Sequence, residues 1–146
     1  MNWRREAADK LRNYEVHKQA LESLLKEIER LESAYTGIRN TATDGMPISG
    51  SGNTREDSMI ANIVHRDELK RRLKEAHLWV SMVDEALAVL DDEERLVLDR
   101  FYIHRAKGSV GELRERLNVE QSTVYRKRDS ALRRFTIALY GISETE

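Results

Sequence analysis

The stretch SVGELRERLNVEQSTVYR, Ser109–Arg126, decides the fold of the C-terminal third. Ser109 followed three residues later by Glu112 has the form of a capping box, so a helix is predicted to open there. Leu113 and Leu117 stand four apart, the spacing that stacks side chains on one face of that helix. Asn118 falls where the helix must turn sharply, and Asn is the residue other than Gly that enters the left-handed conformation most readily. Val119 follows as an apolar plug. A second helix is predicted from about Gln121 to Tyr140, with Val124, Ala131, Leu132, Phe135 and Leu139 inward and Gly141 at its end.

Helix, three-residue turn, helix with apolar residues at these offsets is a helix-turn-helix pattern. Leu113 and Leu117 would pack the first helix on the second, Val119 would seal the corner, and Val124 would anchor the second helix from below. The opposite face is then free to enter a major groove about 12 Å wide. Gln121, Ser122, Tyr125 and Arg126 are predicted to read base edges from that face, Arg suiting guanine and Gln adenine. Ser109, Thr123, Lys127, Arg128, Arg133 and Arg134 are predicted to contact phosphates. The formal net charge of −1 says nothing about nucleic acid, but its distribution does: residues 121–134 hold five basic residues against one acid.

Upstream, Asp91-Asp92-Glu93-Glu94 places acids at a helix N-terminus, where they favour the positive end of the dipole. A short helix follows, with Leu96, Val97, Phe101 and Tyr102 as its apolar face. From Leu90 to Phe135, DDEERLVLDRFY followed by ELRERLNVEQSTVYRKRDSALRRF resembles the region 4 helix-turn-helix of bacterial sigma factors. The likeness rests on the opening acids before an apolar helix and on the ending Ala131-Leu132-Arg133-Arg134-Phe135. Behind a long helical half, this more closely resembles small phage and prophage transcription regulators of the ArpU and RinA kind. That resemblance implies a bacterial cytoplasmic location, double-stranded DNA as partner and RNA polymerase as a further one. It also implies base reading by the first turns of the second helix. Two residues depart from the pattern: Arg114 where a small residue is usual, and Lys127 where an apolar one is. No segment resembles the core-binding sigma regions.

Outward from this third, the remaining chain reads as two long amphipathic helices. Tyr14, Leu21, Leu24, Ile28, Leu31, Tyr35 and Ile38 alternate at spacings of three and four over 3–38, with His17 filling the one gap. Residues 39–53, RNTATDGMPISGSGN, contain the only proline, Pro47, and read as a loop. Thr54 to Asp57 is a near capping box, opening a helix to about residue 90. Leu69, Leu73, Ala76, Val80, Val83, Leu87 and Leu90 form its stripe, with Asn62 and Arg66 at seam positions upstream. An antiparallel coiled-coil hairpin over 1–90 is predicted, its helices about 50 Å long. Its core is expected at Leu21, Leu24, Ile28 and Leu31 on one helix and Leu69, Leu73, Val80, Val83 and Leu87 on the other. One stripe per helix is a small core, so self-association as a homodimer or higher oligomer is expected through 1–90.

Composition agrees with an all-α chain. Its 146 residues are 35% charged and 6% aromatic, with one Pro and seven Gly, too few turn formers for a β-sandwich or barrel. No cysteine removes disulfides, thiolate metal sites and thiol nucleophiles. No apolar run reaches membrane-spanning length and no signal peptide is recognisable, so no membrane partner is expected. His17, His65, His77 and His104 lack metal-ligand spacing. The acidic groups Glu27, Glu29, Glu32 and Glu93, Glu94, Asp99 resemble those of all-α nucleotide pyrophosphohydrolases only superficially. Without a nucleophile–base pair or a phosphate loop, neither an enzyme nor a cofactor is expected. The basic run Arg66, Lys70, Arg71, Arg72 and Lys74 reads as a solvated face, and Trp3 and Trp79 as hairpin or subunit contacts.

The expected architecture is therefore a hairpin (1–90), a helix-turn-helix domain (91–141) and a tail (142–146). The expected function is sequence-specific DNA binding in transcription regulation. Two alternatives stand beside it: an oligomer like a phage small terminase subunit, and a coiled-coil adaptor of the transcription machinery that does not bind DNA.

Overall fold

The first helix is set by its ends. The side-chain oxygen of Asn2 accepts the backbone N–H of Arg5 at 3.1 Å, an N-cap bond that opens α1 (Trp3–Arg12). At the other end both the backbone N–H and the side-chain amide of Asn13 donate to the Asp9 carbonyl. An amide competing for main-chain acceptors breaks a helix that the apolar stripe alone carries straight through. The single helix expected over 3–38 is thus two, α1 and α2 (Tyr14–Thr41). The computed structural model describes residues 1–41 and 52–142, and among these every regular element is helical. α3 spans Gly52–Ala88, so residues 39–41 and 52–53 of the expected loop are helical and Thr54 lies inside α3 instead of capping it. The remainder of that loop, Pro47 included, lies outside the described residues, as does the tail beyond Ile142. No described helix is long and apolar enough to cross a membrane.

Two compact units divide the chain: Lys18–Leu78, and Met1–His17 together with Trp79–Glu146. In the first, α2 and α3 run antiparallel. Ile28, Leu31 and Leu69 form its buried cluster, with Leu24 and Leu73 packed against it and Leu21 half-buried. Further along the same seam Asn62 is buried, its amide donating to the Leu31 carbonyl at 2.9 Å. Its oxygen accepts from Nε of Arg66 at 2.8 Å, and that guanidinium lies over the Tyr35 ring. A polar pair at a seam position fixes which residues face one another, at some loss of apolar burial.

The second unit does not follow the boundary expected at residue 90. α1 packs against α6 (Gln121–Tyr140) instead of belonging to a separate hairpin. Trp3 meets the Tyr140 ring at 5.0 Å, and Ala7, Ala8 and Leu11 are buried. Val80 and Val83 are buried here too and Leu87 half so, while Trp79 stacks on His17 at 3.8 Å between centroids. The Tyr14 hydroxyl donates to Asp84, and burial followed by that carboxylate pushes the phenol's pKa up. α4 (Asp92–Leu98) opens on a complete capping box: Asp91 accepts the Glu94 N–H and Glu94 accepts the Asp91 N–H. One π-helical turn, Asp99–Ile103, then leads through a loop to α5 (Ser109–Leu117).

α5 and α6 meet at the corner anticipated from the sequence. Asn118 has φ 53° and ψ 53°, the left-handed geometry required there. Val97, Leu113 and Val124 form the fully buried centre, with Leu117, Val119, Leu96, Val110 and Phe101 around it. Gly141 closes α6 with φ 76°. Leu113→Ala should lower the unfolding free energy by about 2–5 kcal/mol in urea titration, and the half-buried Leu117→Ala by less. Equal losses would contradict the inner position of Leu113.

Candidate functional site

α6 turns one side to the corner and the other to solvent. Val124, Ala131, Leu132, Phe135 and Thr136 are buried, while Ser122, Arg126, Asp129 and Arg133 recur at spacings of four, three and four and are all exposed. That recurrence is one face of a helix. Gln121 is exposed at its first turn. Three of the four residues expected to read bases thus stand outward. Arg126 and Arg133 have no ion-pair partner among the described residues.

The fourth, Tyr125, is committed elsewhere. Its ring packs against Phe101 of the π turn, 6.0 Å between centroids. Arg128 lies over both rings, 5.0 Å from Tyr125 and 5.3 Å from Phe101. A guanidinium resting on aromatic faces keeps its charge and loses mobility. Tyr125 is therefore half-buried, with its ring in the wall behind the outward stripe. Asp129, which no pattern in the sequence singles out, accepts from Arg128 at 3.0 Å and stands on the outward stripe itself.

The expected phosphate contacts separate in the same way. Ser109 is buried: its hydroxyl donates to the Ala106 carbonyl at 2.9 Å and accepts the Ala106 N–H at 3.1 Å. The capping box expected with Glu112 does not form, because Gly108 in the left-handed region (φ 89°) begins α5 and Glu112 accepts from Arg100 instead. Ser109 is thus a loop staple, with no hydroxyl left for phosphate. Lys127 reaches sideways to Glu93 at 2.5 Å, and Arg134 pairs with Glu94. Long side chains at these positions clear the helix contact by extending along it, which accommodates Lys127 where an apolar residue is usual. Arg114 is exposed. Thr123 is half-buried, and Arg133 alone of the six is both exposed and unpaired among the described residues.

Asp91, Glu93 and Glu94 therefore face Lys127 and Arg134 across the junction of α4 and α6. The Glu94 backbone N–H holds the Asp91 carboxyl below the usual aspartate range, and Arg134 and Arg95 act in the same direction. No group of three or more candidate metal ligands occurs among the described residues. Set against known protein families, curated proteins and solved structures, the chain matches none.

A carboxyl whose folded-state pKa is lowered stabilises above its unfolded value and ceases to do so as pH falls through the folded one. The melting temperature of the protein should thus exceed that of Asp91→Ala by a constant margin above about pH 5. That margin should shrink below about pH 4. A margin independent of pH would contradict the capping bond.

Proposed function

We propose that this chain is a sequence-specific double-stranded DNA-binding regulator of transcription, of phage or prophage origin, that reads the major groove with the start of α6. The observation carrying this reading is the outward stripe of α6 on a rigid apolar corner. Gln121, Ser122 and Arg126 stand at its first turns and Arg133 two turns on, all clear of the packed face. Base reading needs side chains that are free to bond and a helix that cannot rock, and the corner around Val124 supplies the second condition. In this reading Gln121, Ser122 and Arg126 contact base edges and Arg133 a phosphate. Tyr125 and Arg128 shape the wall behind them.

The region Lys18–Leu78 serves self-association in the same proposal. Among the described residues its buried apolar cluster is three residues, while Leu25, Ile60, Ile63, Val64 and Leu78 remain exposed on its helices. Apolar surface of that extent on so small a core favours a second copy, and a two-fold dimer would set the spacing of two half-sites.

Selection of bound sequences from random duplexes tests the regulator reading. Arg126→Ala should relax preference at one base pair, with a loss of about 1–3 kcal/mol for the selected site. Arg133→Ala should weaken all duplexes alike. No salt-sensitive binding of any duplex would refute the reading in favour of a protein-binding adaptor. For self-association, light scattering should give twice the chain mass, and Ile63→Lys with Val64→Lys should halve it. A mass of many protomers would instead indicate a ring of the small-terminase kind.

A further inference from the structure

Beside the outward stripe lies a second feature that the base-reading residues do not use. A cleft of about 780 Å³ opens between the end of α1, the π turn, the loop into α5 and the flank of α6. Its lining includes five cationic side chains and no carboxylate. Arg128 and Tyr125 form the wall shared with α6, and Arg12 comes from the opposite side, its guanidinium 5.2 Å from the Tyr102 ring centroid. Arg105 and Lys107 stand at the rim, exposed and without an ion-pair partner among the described residues.

The rim is built, not incidental. His104 sits between Asp99 at 2.7 Å and Glu15 at 3.4 Å, which fixes where the loop begins. Ser109 clasps Ala106 at the other end, and Gly108 takes the left-handed turn between them. Arg105 and Lys107 therefore project from a loop held at both ends. Three of the five lining cations pair with a carboxylate just outside the cleft: Asp9 binds Arg12 at 2.7 Å, Asp129 binds Arg128, and Asp99 and Glu112 bind Arg100. Arg12 and Arg128 are thus oriented by a carboxylate on one side and a ring beneath, which fixes each guanidinium plane before any ligand arrives.

We propose that this cleft receives the sugar–phosphate backbone of the DNA strand flanking the groove that α6 enters, with α1 supplying Arg12 to the contact. The inference rests on the groove-reading assignment of α6 and extends it to the N-terminal helix. A helix lying in a major groove has a phosphate strand along each side, and the Tyr125–Arg128 side of α6 is where one such strand must pass. Convergent cations without an acid in the lining suit a phosphodiester chain, which carries charge and no sequence information. α1 then has a function beyond packing: by lying against α6 it brings Arg12 to a surface assembled otherwise from residues between Arg100 and Arg128.

The test measures binding of the full chain to a selected duplex and to unrelated duplexes across a salt series, for the protein, for Arg105→Ala with Lys107→Ala, and for Arg12→Ala. The double variant should lower affinity for every duplex by a common factor and reduce the slope of log affinity against log salt by about 2, and Arg12→Ala by about 1. Base preference should stay unchanged in both. Circular dichroism melting of each variant separates these losses from misfolding, since the rim side chains are exposed. Duplex binding by the protein with unaltered slopes in all variants overturns the cleft assignment and leaves the reading of α6 intact. No duplex binding by the protein overturns both. Saturable binding of a free mononucleotide, abolished by Arg12→Ala while duplex affinity is untouched, would make the cleft a small-ligand pocket and likewise overturn the proposal.

Discussion

The corner formed by α4, α5 and α6 depends on how three side chains meet. Val97 from α4, Leu113 from α5 and Val124 from α6 are each fully shielded from water and touch one another. Burying such side chains contributes roughly 1.5–3 kcal/mol apiece, enough to hold short helices that would not persist alone. The cluster admits the α5–α6 crossing only because Asn118 reverses the chain in a left-handed conformation within three residues. Once the crossing is set, helical periodicity determines which α6 residues face outward. Function, in the proposed reading, is what that outward remainder does.

A second layer of constraint is electrostatic. α6 carries five basic side chains in its first fourteen residues, yet they do not act as one patch. Glu93 and Glu94 of the α4 capping region engage Lys127 and Arg134, and Asp129 with two aromatic rings engages Arg128. Exposed pairs of this kind add little stability, on the order of 0–1 kcal/mol. Their effect is on distribution: Glu93 and Glu94 withdraw positive charge from the α4 flank of α6 and leave it on the stripe of Arg126 and Arg133, while Arg128 is held toward the cleft. The acids at 91–94, which the sequence explains by the helix dipole alone, thus also decide which cations remain available.

Local rules made the corner legible. Leu113, Leu117, Asn118, Val119 and Val124 are all within twelve residues of one another, and capping and periodicity operate over that range. The antiparallel seam at Ile28, Leu31 and Leu69 was readable for the same reason. What escaped was long-range. The stripe through Leu11 continues that of α2 without a phase change, so nothing local tells that α1 returns to α6. The Ser109–Glu112 spacing promises a capping box, but Arg100, nine positions upstream of Ser109, takes the glutamate, and the Ala106 backbone takes the serine hydroxyl. Tyr125 has the chemistry of a base reader and the spacing of one; only the arrival of Phe101 commits its ring to the wall. Apart from Ala106, three residues before Ser109 in the adjoining loop, the competing partner lies on another element, where periodicity does not reach.

The most direct measurement uses the absence of cysteine from the chain. Ser122→Cys places a single thiol on the first turn of α6, exposed and nearly isosteric with the residue it replaces. An iron chelate attached there should cut bound duplex DNA in a short, sharply bounded window at one face of each half-site, because the first turn of α6 lies in the groove. Duplex binding with no cleavage from position 122, or cleavage spread evenly along the DNA, would contradict the account.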